Sequence, residues 1–143
     1  QFQAMLDVHV VAPFRILRAA AGFIREAAKK EKEEGVEVFR KVVNISSIAT
    51  VDPFDGLSIY AASKAALESL TRSIVNEGRP WGISAYAIAP GAVETPMLRS
   101  LFTEQQLPSE NTLSPAAVAR VVLQCVIGRR CGDLGRTIVL PSP

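Results

Sequence analysis

From about residue 4 to residue 34 the apolar positions repeat at a helical spacing, and Gly35 follows where a helix C′ residue belongs. The first five turns are apolar almost all round, with Met5, Leu6, Val8, Val10, Val11, Phe14, Ile16, Leu17, Phe23 and Ile24. Such a helix is expected to be buried on more than one side, against a sheet and often against a second subunit. Residues 29–34 are charged and read as a solvated end. Residues 36–45 then predict a strand whose part at 42–45 is fully buried, as in a parallel sheet covered on both faces. Ser58 is a candidate N-cap for a helix over about 59–77, with Ile59, Ser63, Ala66, Leu67, Leu70 and Ile74 on its buried face. Gly78, with Pro80 two positions on, is expected to stop that helix. A second strand over 83–89 is apolar on both faces. The stretch 96–112 is apolar at its start and polar at its centre. Ser114 and Pro115 form a cap and an N1 proline for a helix to about 127, and a turn over 128–135 leads to a short strand at 137–140.

This alternation of strand and helix predicts an α/β fold with a parallel sheet and helices on both faces. Ligands in such folds bind at the carboxyl ends of the strands, which are here Ser46-Ser47 and Pro90-Gly91. Tyr60 and Lys64 are four apart and therefore share one face of their helix, one turn from each other. A phenol in water has a pKa of about 10, and a cation held beside it favours the phenolate. Ser47, at the end of the preceding strand, is placed to hold a substrate oxygen against that phenol. Together these three residues make an acid/base site with a positioning group.

Ser47, twelve intervening residues, Tyr60, three more, Lys64, and then Pro90-Gly91-Ala92-Val93-Glu94-Thr95 after the next strand resemble the short-chain dehydrogenase/reductase family. A Tyr-x-x-x-Lys pair alone is weak, but the serine at its distance and the run Ala61-Ala62-Ser63 strengthen it. The resemblance covers essentially the whole chain, as the later half of the family's domain. It implies a three-layer Rossmann-type parallel sheet, and residues 1–143 as the C-terminal catalytic portion of one such domain, the N-terminal dinucleotide phosphate-binding portion being absent. It further implies an oxidoreductase using NAD or NADP that interconverts a carbonyl and a secondary alcohol. Tyr60 would exchange the proton, Lys64 would contact the nicotinamide ribose, and Ser47 would bond the substrate oxygen. Pro90, Gly91, Val93 and Thr95 would border the nicotinamide. The first helix and the Tyr60 helix would build a homodimer or homotetramer, and residues 96–112 would be a mobile lid.

His9, the only histidine, occupies the place where the family usually has an asparagine in its catalytic set. Pro13, four residues on, has no N–H to offer the carbonyl of residue 9. That carbonyl, rather than the imidazole, is expected to serve the relay toward Lys64; a core histidine satisfied by backbone is the blander alternative. The family's usual acidic-glycine ending is replaced by Pro141-Ser142-Pro143.

Composition narrows the function classes. Sixteen basic residues against fourteen acidic ones leave no basic stripe for nucleic acid. Cys125 and Cys131 lack metal-ligand spacing, so no metal site is expected, and they suit a reduced cytoplasmic setting. The segment 5–24 is broken by Asp7, His9, Arg15 and Arg18, which argues against a membrane span. The chain opens on a helical pattern without an initiator methionine, so an upstream segment is expected, and with it the Gly-rich turn that cradles the pyrophosphate. Without that segment the strand before Ser46 is expected to have an open edge and uncovered apolar faces. A non-catalytic binding or assembly protein that keeps the fold is the rival reading. Serine hydrolysis through Ser47 and His9 is rejected, because no Gly-x-Ser-x-Gly elbow surrounds the serine. Substrate identity, the choice of NAD or NADP, the reaction direction and oligomer size are not encoded in any motif present.

Overall fold

The computed structural model of the protein describes residues 2–143. Its centre is β2 (Ile83–Pro90), in which residues 84–90 are all buried. β2 pairs in parallel with β1 (Arg40–Ile45) on one side and β3 (Thr137–Leu140) on the other. Side chains alternate across a strand. On one face Tyr86 and Ile88 pack with Ile138 and with Cys125, Val118, Val121 and Val122 of α5 (Pro115–Val126). On the other, Ala85, Ala87 and Ala89 leave room for α3 (Ser58–Gly78), and Asn44 of β1 donates to Thr71 of α3 at 2.8 Å. Helices therefore cover both faces of a parallel sheet, the Rossmann-type arrangement expected. No helix of the described residues is long and apolar enough to cross a membrane.

The N-terminal helical run is α1 (Phe2–Leu6), a π-helical segment Asp7–Val11, and α2 (Ala12–Glu34). Its wide turn adjoins Pro13, which has no N–H to give and whose ring crowds the preceding turn; Ala12 N–H reaches back five residues to Asp7. Such segments relieve a helix where the regular four-residue bond is lost. Gly35, at φ 70°, ends α2 as expected. Within this chain α2 has no fully buried residue, and Phe23 is 77% exposed. Among the described residues, α1, the π-helical segment and α2 pack mainly against α3 and the turn at Trp81. Arg40 ties α2 to the sheet by bonding Glu31 at 2.5 Å and the carbonyl of Trp81 at 3.2 Å.

Five further expectations are corrected. β1 begins at Arg40 rather than at residue 36, because Arg40 pairs with Ile83, the first residue of β2. Residues 42–45 are also not fully buried, and Ile45 is 41% exposed. β1 is the sheet's edge, and nothing among the described residues lies along its free side. Ser58 caps nothing with its side chain; it is the first residue of α3, whose N-cap is Leu57. The buried stripe of α3 is Ser63, Leu67, Thr71, Ile74 and Gly78, so Ile59 is left exposed. Gly78 is required for space rather than for a left-handed turn. A Cβ there would stand 2.7 Å from Cβ of Ile83, and the left-handed residue that turns the chain into β2 is Gly82. Ser114 caps α5 as expected, accepting from Ala117 N at 3.1 Å.

Candidate active site

The carboxyl ends of β1 and β2 open into a cleft of about 1010 Å³. Ser47, Tyr60 and Lys64 line it together with Pro90, Gly91, Val93 and Thr95, so every cleft residue expected from the sequence comes to one place. His9 is not on its wall and lies behind Tyr60. Phe54, Leu57, Met97, Leu98, Leu101 and Phe102 make the opposite side apolar.

Lys64 Nζ donates to the carbonyl of Ile45 at 2.8 Å and stands 5.7 Å from the centre of the Tyr60 ring. Burial pushes its ammonium below the ordinary lysine value. Ser47 stands two residues past β1 and caps the short turn Ile48–Thr50, its hydroxyl oxygen accepting from Ala49 N at 3.2 Å. Its own proton is left to donate into the cleft.

The residue that sequence reasoning missed is Glu68. Its Oε1 accepts from Ser46 Oγ at 2.6 Å and lies 2.9 Å from Thr50 Oγ1. Thr50 Oγ1 also reaches the carbonyl of Ser47 at 2.9 Å. A carboxylate on α3 thus braces the loop that presents Ser47. The signal was its spacing, four beyond Lys64 on the same helix face. Ser46 Oγ also lies 3.4 Å from the carbonyl of Lys64, eighteen residues on, but its nearer partner is Glu68.

His9 Nδ1 lies 2.9 Å from Ser63 Oγ, and its ring meets Tyr60 edge to face with centres 5.7 Å apart. Burial and then the Lys64 charge lower the imidazole below its ordinary value.

After β2, Gly91 N–H donates to Leu140 O at 2.8 Å, and Ala92 N–H to Ser142 Oγ at 2.8 Å. The unusual ending Pro141-Ser142-Pro143 thus closes one side of the cleft. Thr95 caps α4 (Pro96–Arg99), accepting from Leu98 N at 3.2 Å and donating to Val93 O at 3.2 Å. That leaves its hydroxyl only a lone pair for a ligand. Arg99 forks onto Glu94 at the base of the 96–112 segment, bonds Glu104 at 3.1 Å, and donates to Leu107 O at 2.7 Å. The bridge between Val93 and Leu113 closes the loop behind it.

A serine hydroxyl, a phenol and an ammonium on one cleft wall describe proton exchange with a substrate oxygen. The family model for short chain dehydrogenases matches residues 1–106. The chain belongs to the short-chain dehydrogenase family. It is 31% identical over 132 residues to human 3-hydroxyacyl-CoA dehydrogenase type-2, covering 88% of this chain and 49% of that protein. A solved short chain dehydrogenase/reductase family protein superposes with a TM-score of 0.75 at 31% identity, covering 97% of this chain and 55% of the other. The 3-ketoacyl-(acyl-carrier-protein) reductase of Brucella melitensis, solved with NADH, shares the fold with a TM-score of 0.81 at 22% identity, over 98% and 56% of the two chains. The chain spans about half the length of the curated short-chain dehydrogenases it matches. Among the described residues no cluster of His, Cys, Asp or Glu has the arrangement of a metal site.

A nicotinamide cofactor fits the residues present at one end only. Lys64 spends one of its three protons on Ile45 and keeps the others for hydroxyl acceptors in the cleft. Beside it the strand end from Pro90 to Val93 exposes backbone to the same space. Among the described residues no Gly-rich turn enters a helix to cradle a pyrophosphate.

Proposed function

We propose that the protein is an NAD- or NADP-dependent oxidoreductase that interconverts a carbonyl and a secondary alcohol. The observation that carries this reading is that Lys64, anchored to the carbonyl of Ile45, stands over the Tyr60 ring on the wall shared with Ser47. Ser47 donates to the substrate oxygen and orients it. Tyr60 gives the proton to that oxygen in reduction and takes it back in oxidation. Lys64 holds its ammonium beside the phenol and offers its free protons to the cofactor ribose. His9 serves the relay of protons toward Lys64. Pro90, Gly91, Val93 and Thr95 border the nicotinamide end of the cleft. The cofactor, when bound, supplies or takes the hydride.

The substrate is a carbonyl compound with hydrophobic bulk. Support comes from the apolar wall of Phe54, Leu57, Met97, Leu101 and Phe102, and from relatives whose names specify hydroxyacyl and ketoacyl groups. Residues 1–143 form the C-terminal catalytic portion of one Rossmann-type domain. Ile16 and Phe23, exposed seven residues apart on one face of α2, support a homodimer or homotetramer, and the setting is cytoplasmic.

The test is Tyr60→Phe in the intact polypeptide, assayed with NADH and NADPH against a panel of hydrophobic ketones and acyl thioesters. Turnover is expected to fall by about 10²-fold or more, the range of positioned proton transfer, with cofactor binding kept. A wild-type rate in that variant removes the proton role. Cofactor binding with no turnover by the wild-type protein on any substrate would favour the rival reading, an assembly protein that keeps the fold.

A further inference from the structure

Ser63 is fully buried in α3 and lies behind the cleft. Its Oγ is 2.7 Å from the carbonyl of Tyr60 and 2.9 Å from His9 Nδ1. A serine hydroxyl has one proton, and a carbonyl can only accept. With the Ser63 proton on its nearer acceptor, Tyr60 O, the bond with His9 is donated by the ring. That places the imidazole hydrogen on Nδ1. In a neutral imidazole the other nitrogen is then a bare acceptor. The neutral form is the one that this site holds, since burial and the Lys64 charge both oppose protonation. The ring packs edge to face on Tyr60, and Lys64 Nζ stands over the same phenol. Lys64 is the charged group that faces the imidazole and Tyr60 the titratable one; Asp7, on its own helix, is exposed and takes its hydrogen bond from Gln3.

We propose that the imidazole of His9, locked in its Nδ1–H form by Ser63, is the acceptor that exchanges protons between the Tyr60–Lys64 pair and solvent, in place of the backbone carbonyl at position 9. This rests on the oxidoreductase reading. In oxidation the substrate hydroxyl gives its proton to the Tyr60 phenolate. The Lys64 ammonium gives one of its own protons toward His9 Nε2 and takes the phenol proton in its place. The imidazolium so formed keeps its Nδ1–H on Ser63 and releases one proton to water, helped by repulsion from Lys64. Reduction runs the same single proton backwards, and the hydride exchanged with the nicotinamide is balanced at the substrate carbon. Ser63 is a positioning residue here, since it acts only through His9.

The experiment combines ¹⁵N-histidine NMR with kinetics on the intact polypeptide, the His9 signal being the one lost in His9→Asn. At neutral pH the wild-type ring is expected to show a protonated Nδ1 and an unprotonated Nε2, titrating below the ordinary imidazole value. Ser63→Ala is expected to move the ring toward Nε2–H and to lower kcat about tenfold or more with KM unchanged, and Ser63→Thr to restore both. His9→Asn keeps the backbone carbonyl, so a fall of about 10²-fold in kcat assigns the relay to the imidazole. An Nε2–H ring in the wild-type protein overturns the lock. A wild-type rate in His9→Asn, with Tyr60→Phe inactive, overturns the relay and leaves the oxidoreductase reading standing. An active Tyr60→Phe sinks both readings, while the tautomer result remains legible by itself.

Discussion

Lys64 on α3 is tied to Ile45, the last residue of β1, by a 2.8 Å bond from its ammonium to the backbone carbonyl. The bond sets the reach of a flexible side chain and fixes its charge near the Tyr60 ring, although burial disfavours that charge. Lys64→Met is expected to lower turnover by about 10²-fold or more, as the ammonium beside the phenol is lost. Lys64→Arg is expected not to rescue it, because a planar fork does not replace a compact ammonium on one carbonyl. The check is a pH profile of kcat for the three proteins.

Glu68 gives a second prediction. One carboxylate oxygen receives the Ser46 hydroxyl and adjoins that of Thr50, and Ser46 is only 3% exposed. Glu68→Leu leaves a buried hydroxyl without its acceptor, which costs about 1–3 kcal/mol. Glu68→Gln keeps an acceptor and is expected to lose less than Glu68→Leu. Because the same loop carries Ser47, kcat is expected to fall along with Tm in Glu68→Leu. Denaturant unfolding and steady-state kinetics on the same samples test both.

The periodicity of residues 4–34, the strand at 137–140 and the cap at Ser114 were readable because local chemistry decides them. So was the convergence of Ser47, Tyr60 and Lys64, since it follows from two helix positions and one strand end. Burial was less legible. Residues 42–45 read as a core strand because their side chains are apolar, yet exposure depends on what covers β1, a non-local fact. Ser58 lost the capping role to Leu57 because the loop from Pro53 enters the helix one residue earlier than the cap pattern suggests. Glu68 escaped notice because an acidic residue on an amphipathic helix ordinarily marks its solvated face. The role of Ser142 depends on the tail folding back over Gly91, fifty-one residues earlier, which no window of sequence reports.

That closure predicts the effect of a methyl group at Gly91. A Cβ there would lie 2.8 Å from the backbone nitrogen of Ser142, closer than packed atoms tolerate. Gly91→Ala is expected to displace residues 141–143 and to cost about 1–3 kcal/mol, the usual penalty of overpacking. Ser142→Gly is expected not to rescue it, since the backbone nitrogen remains in the way. Deleting residues 141–143 is expected to relieve the clash and to leave Gly91→Ala no less stable than the equally shortened parent. Thermal melts of the four variants decide the matter.

Arg99 makes the lid's geometry sensitive to acid. Its guanidinium bonds Glu94, and that hydrogen bond holds the Glu94 carboxyl below the usual carboxylate range. A carboxyl with a lowered folded pKa contributes stability above its unfolded value, about 4.3, and loses it as pH falls through the lowered folded value. Acidification is therefore expected to release residues 96–112 before the sheet unfolds, because β2 is buried and this fork is one of the contacts that hold the loop. Amide exchange is expected to quicken across 96–112 below about pH 4.3 while β2 stays protected. In Arg99→Leu the lid amides are expected to exchange fast at neutral pH and to lose that pH dependence. KM is expected to rise more than kcat falls, since Met97, Leu98, Leu101 and Phe102 line the cleft from this loop while Tyr60 and Lys64 do not move with it. Lid amides that stay protected in Arg99→Leu would show that the Val93–Leu113 bridge alone keeps the loop closed.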